Sequence, residues 1–224
     1  GMMMVEAGEA DAFITGTYSK YAETIQIAKE VIGIREGYKH FGAMHIMSTK
    51  CGTYFLADTL INRKPTTETL IDIAKLSYDS VRFFAKDPVI AMVSYSNFGS
   101  DNQGSPLRVH EAIKILHEQY PEIIIDGEMQ MNFALNNKLR DKSYPFNKLK
   151  GREVNTIVFP NLSSANSAYK MMLEMGVAES IGPIQMGLNK PIHFTDIASS
   201  TRDIVNLTTV AVLDAIVQER RNKQ

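Results

Sequence analysis

The chain of 224 residues has little of several features that mark whole classes of protein. It has one cysteine, Cys51, which excludes an internal disulfide and any zinc site built from several cysteines. Its formal net charge is −1, so no excess of basic residues points to a nucleic-acid partner. No run of about 18 apolar residues is present, which predicts that no segment spans a membrane. The single cysteine also favours a reducing compartment, and we expect a cytoplasmic protein.

The first ten residues lack the charged segment and the following apolar segment of a secretory signal. Gly1 stands before Met2, which is typical of a residue left by a cleaved tag, so we expect an expressed piece of a longer protein. The chain has no internal repeat, no low-complexity segment and no evident linker.

Apolar residues make up 44% of the chain and charged residues 22%, which is enough to bury a sizeable core. Short apolar strands alternate with amphipathic helices, which predicts an α/β protein with a largely parallel sheet. We predict strands at 12–15, 88–93, 122–125, 156–159 and 191–196, and a hairpin of 45–48 with 53–57 around Cys51. We predict helices at 18–32, 67–84, 106–119, 129–135, 163–175 and 201–220, with a charged loop at 136–152.

Three polar turns follow predicted strands and precede predicted helices. Because unpaired N–H groups and the helix dipole point outward at such places, they are candidate ligand sites. They contain Thr15, Gly16 and Thr17; Ser96, Gly99 and Ser100; and Ser199 with Ser200. Ordinary turn structure explains them as well, since the second turn lacks the spacing of a P-loop and Gly16 equally permits a tight turn.

Several motifs resemble the phosphate acetyltransferases (phosphotransacetylases) and, equally, the phosphotransacetylase-like C-terminal domain of bacterial malic enzymes. The C-terminal motifs are Gly182-Pro183, Gly187-Leu188, Lys190-Pro191 and Asp203-Ile204-Val205. Four earlier blocks resemble the same family in the same order: 5–16, 94–100, 126–130 and 155–170. An upstream portion of about a third of the family's domain has no counterpart here, so the chain resembles a truncated domain.

The resemblance implies a three-layer α/β/α sandwich like that of isocitrate and isopropylmalate dehydrogenases. Its sheet would be mainly parallel, with an antiparallel hairpin. It also implies an interior subdomain at about 17–154, flanked by parts of an outer subdomain at 1–16 and 155–224. The ligand-binding residues that we predict on this basis are Thr15, Gly16, Thr17, Ser96, Gly99, Ser100, Asp126, Ser199 and Ser200.

The family's catalytic motif is only partly present. In the enzymes, a serine-arginine pair follows the last strand, and an aspartate lies six residues after the arginine. Counting back from Asp203, these positions hold Asp196 and Ile197. The resemblance thus assigns a catalytic aspartate, Asp203, without the cation that would stabilise the negative charge of the reacting group. A neighbouring cation, Arg202, would have to replace it for acyl transfer to occur.

The first hypothesis is therefore a regulatory and oligomerisation domain of an NADP-dependent malic enzyme that senses acetyl-CoA or a related metabolite. In that reading the ligand is acetyl-CoA or acetyl phosphate, and the fragment itself carries no cofactor or metal. In the same interpretation, NADP, Mg²⁺ or Mn²⁺ and the oxidative decarboxylation of malate belong to N-terminal domains of the same chain that are absent here. Those domains and a second copy of the chain are the expected partners of this fragment. The second hypothesis is an active phosphate acetyltransferase or butyryltransferase.

Simpler explanations stand beside these assignments. Ser200 and Asp203 also have the spacing of a helix capping box, which alone would account for both residues. His110 and His117 lie seven residues apart on one helix, but no carboxylate or cysteine completes a metal site in the sequence pattern. The basic run from Lys138 to Arg152 is typical of a solvated loop, and the phosphates of coenzyme A are an alternative partner for it.

Overall fold

A computed structural model describes residues 1–16, 21–195 and 199–222. The strands are β1 (Phe13–Gly16), β2 (Gly42–Thr49), β3 (Gly52–Ala57), β4 (Ile90–Val93), β5 (Ile125–Met129), β6 (Thr156–Val158), β7 (Ala178–Met186) and β8 (Ile192–Thr195). The helices are α1 (Met2–Glu6), α2 (Tyr21–Val31), α3 (Thr67–Phe83), α4 (Gly104–Gln119), α5 (Met131–Leu135), α6 (Asn137–Ser143), α7 (Leu162–Glu174) and α8 (Thr201–Asn222).

Six strands form one sheet in the order β5-β4-β6-β3-β2-β7. The first four of these are parallel to one another, and β2 is antiparallel to both β3 and β7. β1 and β8 form a separate two-stranded parallel sheet. The predicted α/β class, with a mainly parallel sheet and an antiparallel hairpin at Cys51, is confirmed.

Helices cover both faces of the six-stranded sheet. α3 and α4 pack on one face, where Leu70 and Leu116 meet Met92 in the larger core cluster. α5 and α7 pack on the other face, where Ala165 lies with Ala91. Because neighbouring residues of a strand point to opposite faces, a strand covered on both sides is apolar throughout. This explains why every residue of β4 is buried, as the apolar run 88–93 predicts.

Helical spacing predicts that Val109, Ala112, Ile113 and Leu116 form the buried side of α4, and all four are buried. The corresponding prediction for α8 is wrong. In α8 we expected Ile204, Thr208, Ala211, Val212 and Ala215 to be buried. Leu207 and Val210 are buried together with Ala211, whereas Ile204 and Val212 are 46% and 51% exposed. The error has a physical reason, because α8 is apolar on nearly every side and its periodicity cannot select one face.

Three further predictions need correction. The strand expected at 122–125 begins three residues later, as β5 (Ile125–Met129), and so includes Asp126 and Glu128. Their burial inside a strand is possible because hydrogen bonds satisfy both carboxylates. The loop expected at 136–152 contains helix α6. β7 was not predicted, since Gly182-Pro183 interrupts its pattern where the pairing with β2 shifts register.

The subdomain boundary expected at residue 154 falls inside the six-stranded sheet, which runs from β2 to β7 and so includes residues 156–186. α2 packs instead with α1 and β8, where Ala28 and Ile32 meet Val5 and Phe194. Sequence order did not reveal this division, because β6 and β7 return to a sheet begun a hundred residues earlier along the chain. No helix among the described residues is long and apolar enough to cross a bilayer.

Candidate functional site

The pairing of β1 with β8 brings two of the predicted ligand turns side by side. Gly16 lies opposite Thr195, and the Thr195 hydroxyl donates a hydrogen bond of 3.2 Å to the carbonyl of Thr15. A Cβ atom at Gly16 would lie 3.3 Å from that hydroxyl oxygen, so this approach favours glycine. The strands are parallel, and their carboxyl ends therefore meet at the same edge of the small sheet.

A helix follows each of these two strands: α2 begins at Tyr21 and α8 at Thr201. The carboxyl ends of adjacent parallel strands, each leading into a helix, are a common place for an anionic ligand. Thr17 belongs to the first connection, and Asp196 and Ile197 belong to the second. These three positions lie outside the described residues, and the parts assigned to them stay predictions.

Ser200 and Asp203 form the capping box that their spacing predicts. The Ser200 hydroxyl and amide both donate to Oδ2 of Asp203, at 2.7 and 2.8 Å. In return the Asp203 amide donates to the Ser200 hydroxyl oxygen at 3.2 Å. Asp203 therefore has a structural role at the start of α8, and its catalytic role stays a prediction. Ser199, the residue before this box, is half-buried.

Arg202, the candidate replacement for the missing arginine, is paired with a carboxylate of the protein itself. Its guanidinium lies 2.6 Å from the carboxylate of Glu179 at the start of β7, in a pair whose side chains are 71% and 69% exposed. The hydrogen bond and the charge of Glu179 raise the pKa of Arg202. An ion pair this exposed is easily exchanged, so a strong anion could still compete for Arg202.

The loop after β4 encloses a carboxylate of the protein itself. Glu128 is fully buried, and its Oε1 accepts hydrogen bonds from the Gly99 amide at 2.6 Å and the Ser96 hydroxyl at 3.1 Å. Its Oε2 lies 3.2 Å from Nδ1 of His110. Ser100 contacts Ser96, with 2.8 Å between their hydroxyl oxygens. The donors expected to bind a ligand phosphate are thus partly used by Glu128.

Asp126 is also satisfied within the fold. Its carboxylate accepts from its neighbour Gly127 at 3.0 Å and from the Lys148 amide at 2.6 Å, and burial raises its pKa. β4 and β5, which carry this second group of residues, lie at the opposite edge of the sheet from β7. The predicted ligand residues are thus carried by two sheets, with Thr15 and Gly16 on the β1–β8 sheet and Asp126 on the six-stranded sheet. Ligand binding by either set stays a prediction.

Burial changes the interpretation of the basic run. Arg140 is fully buried and donates from Nη2 to the carbonyls of Leu149 and Arg152, at 2.8 and 2.7 Å. It closes the segment after α6 and is not available to a phosphate. The sequence signal that could have identified the buried role of Arg140 is its place on α6, a seven-residue helix inside the segment predicted as a loop.

Two buried histidines were also missed. His45 stacks on Tyr169 with 4.3 Å between ring centroids, and its Nδ1 lies 2.8 Å from the Thr59 hydroxyl. Nδ1 of His193 accepts from the Gln185 amide at 3.2 Å. Burial lowers the pKa of each to about 4, so both are neutral near pH 7. Among the described residues, no three histidine, cysteine, aspartate or glutamate side chains are grouped closely enough to hold a metal ion.

A groove of about 560 Å³ opens between α5, α7 and the β2–β3 hairpin. We call it the α5–α7 groove. Its floor includes Leu56 and Ile157, and its walls include Leu135, Met171 and Val177. The lining is almost wholly apolar and offers no cluster of charged groups for chemistry.

The comparison with known proteins agrees with the geometry of the fold. The sequence model of the family "Phosphate acetyl/butaryl transferase" matches residues 1–212. The NADP-dependent malic enzyme of Salmonella typhimurium is 38% identical over 96% of this chain, which spans 28% of that enzyme. The phosphate acetyltransferase of Bacillus subtilis is 33% identical over 96% of the chain, which spans 67% of that protein. A phosphotransacetylase structure from Streptococcus pyogenes superposes with a TM-score of 0.89 at 32% identity, over 96% of this chain and 66% of that one.

Proposed function

The chain belongs to the phosphate acetyl/butaryl transferase family, and from that premise we propose that it is a ligand-sensing and assembly domain of an NADP-dependent malic enzyme. Its ligand would be acetyl-CoA or a related acyl phosphate, bound without turnover. The chain spans little more than a quarter of the malic enzymes that it resembles, so the oxidation of malate would belong to other parts of such a protein.

The observation that carries this proposal is the loss of a positive charge where the family's enzymes have one. Ile197 takes the arginine position, and Asp196 adds a negative charge beside it. Arg202, the nearest cation along the chain, pairs with Glu179, and Asp203 serves the capping box. Acyl transfer needs a donor aimed at the developing negative charge, and the loss of one such donor typically costs about a hundredfold or more in rate.

Ligand binding without turnover is supported by what the site retains. The ends of β1 and β8 keep their pairing, and a helix follows each strand. Backbone N–H groups at helix starts bind an anion whether or not a catalytic cation is present. Thr15, Gly16, Thr17, Ser199 and Ser200 are the residues that we propose to contact the ligand.

A second candidate, an active phosphate acyltransferase, is favoured by the comparably similar relatives of that activity. It requires a cation at the acyl oxygen or the phosphate. Arg202 would supply that cation only by leaving Glu179, and the alternative source is a neighbouring subunit.

One experiment separates the two candidates. The 224-residue chain is titrated with acetyl-CoA by calorimetry, and the same samples are assayed for acetyl phosphate formed from acetyl-CoA and phosphate. Saturable binding without turnover supports the sensing domain. Turnover above the protein-free background supports the acyltransferase and rejects the proposal. The absence of both binding and turnover rejects ligand sensing by this chain and leaves only its assembly role.

A further inference from the structure

A small cavity lies beside the C-terminal half of α8. It has a volume of about 70 Å³ and is bounded by the end of α3, the end of β7 and the beginning of β8. The residues proposed to contact acetyl-CoA lie at the other ends of β8 and α8. Along α8 alone, about 21 Å of helix separates Ser200 from Asp214, which lines the cavity. The cavity is therefore a separate place in the fold, and we call it the His193 cavity.

His193 lines this cavity and has a hydrogen-bond donor without an acceptor. The residue is 1% exposed, and its Nδ1 accepts from the Gln185 amide at 3.2 Å. Because that bond uses the lone pair of Nδ1, the neutral ring carries its proton on Nε2. Nε2 is buried and has no hydrogen-bond partner among the described residues. A buried donor without an acceptor is unfavourable, so this N–H group indicates a place for an acceptor from outside the chain.

Lys190 gives the same cavity a cation. Its side chain is half-buried and forms no ion pair with any carboxylate in the part of the chain that the structure describes. Arg35, the other cation of the lining, is already paired with Asp79 at 2.6 Å. The Tyr38 hydroxyl donates to the same carboxylate oxygen of Asp79 at 3.0 Å. Lys190 is therefore the cation that an anionic ligand can reach without breaking an ion pair.

The balance of charges limits the charge of the occupant. Two cations and two carboxylates line the cavity: Arg35, Lys190, Asp79 and Asp214. Asp214 accepts from the side-chain amide of Gln218 at 3.4 Å. A lining with no net charge accommodates one negative charge beside a lysine, whereas a second negative charge on the ligand would face the two carboxylates without a matching cation. The cavity thus favours a monovalent anion over a phosphate.

The size of the cavity and its apolar wall limit the occupant further. Its volume is less than half of the roughly 150 Å³ that accommodates benzene in a protein core, which leaves room for about four non-hydrogen atoms. Phe83, Ile184, Val210 and Val217 form the apolar part of the lining. A methyl or ethyl group can pack against these side chains, and a longer chain would not fit.

We propose that the His193 cavity binds a small monocarboxylate, of which acetate and propionate are examples. One carboxylate oxygen accepts from Nε2 of His193, the negative charge lies near Lys190, and the short alkyl group packs against the apolar wall. The site is additional to the proposed acetyl-CoA site and does not depend on it. Because so few atoms make contact, we expect a dissociation constant of about 0.1 to 10 mM.

Nuclear magnetic resonance of the 224-residue chain, labelled with ¹⁵N in its histidine rings, tests the proposal. The chain is titrated with sodium acetate at pH 7, with sodium chloride at equal concentrations as the control for ionic strength. The His193 signals are assigned by their loss in His193→Gln. The Nε2–H signal of His193 should shift and saturate, while that of His45, which is equally buried, should not move. A His193 signal that does not respond to about 50 mM acetate would overturn the proposal.

A pair of lysine variants tests the charge. Lys190→Gln should raise the dissociation constant for acetate at least about threefold, because it removes the cation beside the carboxylate. Lys142→Gln, on the exposed part of α6, is the matched control and should leave the constant unchanged. Circular dichroism confirms that each variant is folded. Equal constants in the two variants would overturn the proposal.

Two further outcomes identify a different ligand or a different site. Inorganic phosphate at the same concentration should not displace acetate, and displacement would overturn the assignment to a monocarboxylate. Ser200→Ala alters the proposed acetyl-CoA site alone, so the response of His193 to acetate should survive it. If Ser200→Ala abolishes that response and Lys190→Gln does not, acetate binds at the acetyl-CoA site and the proposal fails. A chain that binds acetate but not acetyl-CoA would support this site and reject the proposed sensing of acetyl-CoA.

Discussion

The amide of Gly99 donates a hydrogen bond of 2.6 Å to the carboxylate of Glu128, which is fully buried. The loop after β4 is thereby closed around an acidic side chain from the neighbouring strand β5. Gly99 has φ of +84°, a left-handed conformation that favours glycine and lets its amide reach the carboxylate. The loop is organised by a charge that comes from within the protein.

Replacing Glu128 by glutamine should therefore destabilise the fold. Glutamine offers one carbonyl oxygen to the donors that the carboxylate accepts from, and its NH₂ group would face the other donors. We expect a loss of about 1–3 kcal/mol in the free energy of unfolding, measured with urea. Glu118→Gln on the exposed side of α4 is the matched control, with a change within about 0.5 kcal/mol. Equal stability of the two variants would contradict a structural role for Glu128.

Arg140 should tolerate lysine poorly. The guanidinium group of Arg140 donates to the carbonyls of Leu149 and Arg152 together, whereas a lysine would bring one ammonium group into the same buried space. We expect Arg140→Lys to lower the free energy of unfolding by about 2–4 kcal/mol. Lys142→Arg, on the exposed part of the same helix, should have almost no effect. Unchanged urea midpoints for both variants would rule out this role of Arg140.

A pair of helix caps separates stability from ligand binding. Ser200 caps α8 at the proposed ligand site, and Asn161 caps α7 by accepting from the Ser164 amide at 3.0 Å. Ser200→Ala and Asn161→Ala should each cost about 1 kcal/mol of stability. Only Ser200→Ala should weaken the binding of acetyl-CoA in calorimetry. Equal affinities in the two variants would mean that Ser200 has the capping role alone.

Stability should fall as the pH is lowered below 7. Burial lowers the pKa of His45 and His193 to about 4 from the usual 6.5. A histidine with a lowered pKa contributes stability that is complete above pH 6.5 and is lost as the pH falls towards 4. By pH 5 each should have lost about 2 kcal/mol, because the unfolded chain binds the proton and the folded chain does not.

His193→Gln tests this directly. The difference in free energy of unfolding between pH 7 and pH 5 should shrink by about 2 kcal/mol in the variant. Asp58 and Asp126 act in the opposite sense, since burial raises the pKa of both and favours the folded state at low pH. Both proteins contain these two aspartates. Comparing the pH dependence of the free energy of unfolding in His193→Gln with that in the unchanged chain therefore cancels their contribution. An identical pH dependence in both proteins would show that His193 is protonated equally well when folded.

Restoring the family's serine-arginine pair should restore acyl transfer. The double variant Asp196→Ser with Ile197→Arg supplies the cation and removes the competing negative charge. We expect acetyl phosphate formation to rise at least about tenfold over the unchanged chain. Asp196→Ser with Ile197→Leu is the control, and it should show no gain. If neither variant differs from the unchanged chain, the missing arginine is not the reason why the site lacks acyltransferase activity.

The fold class could be predicted from the sequence because it depends on local patterns. The run 88–93 is apolar without interruption, which indicates a strand covered on both faces, and β4 is one. The capping box of Ser200 and Asp203 is likewise local, since its atoms belong to a single helix turn. The family resemblance likewise rests on short local motifs that occur in the same order along the chain.

The long-range features could not be predicted, because each depends on residues that are distant in sequence. Glu128 is buried among groups from β4 and α4, and His193 is neutral because β7 and β8 enclose it. The exposed side of α8 is a matter of what packs against it, since both of its faces are apolar. The sequence by itself determined most of the strands, the capping box of Ser200 and Asp203, and the family. The tertiary structure alone decided which charges are enclosed and which apolar face is left open.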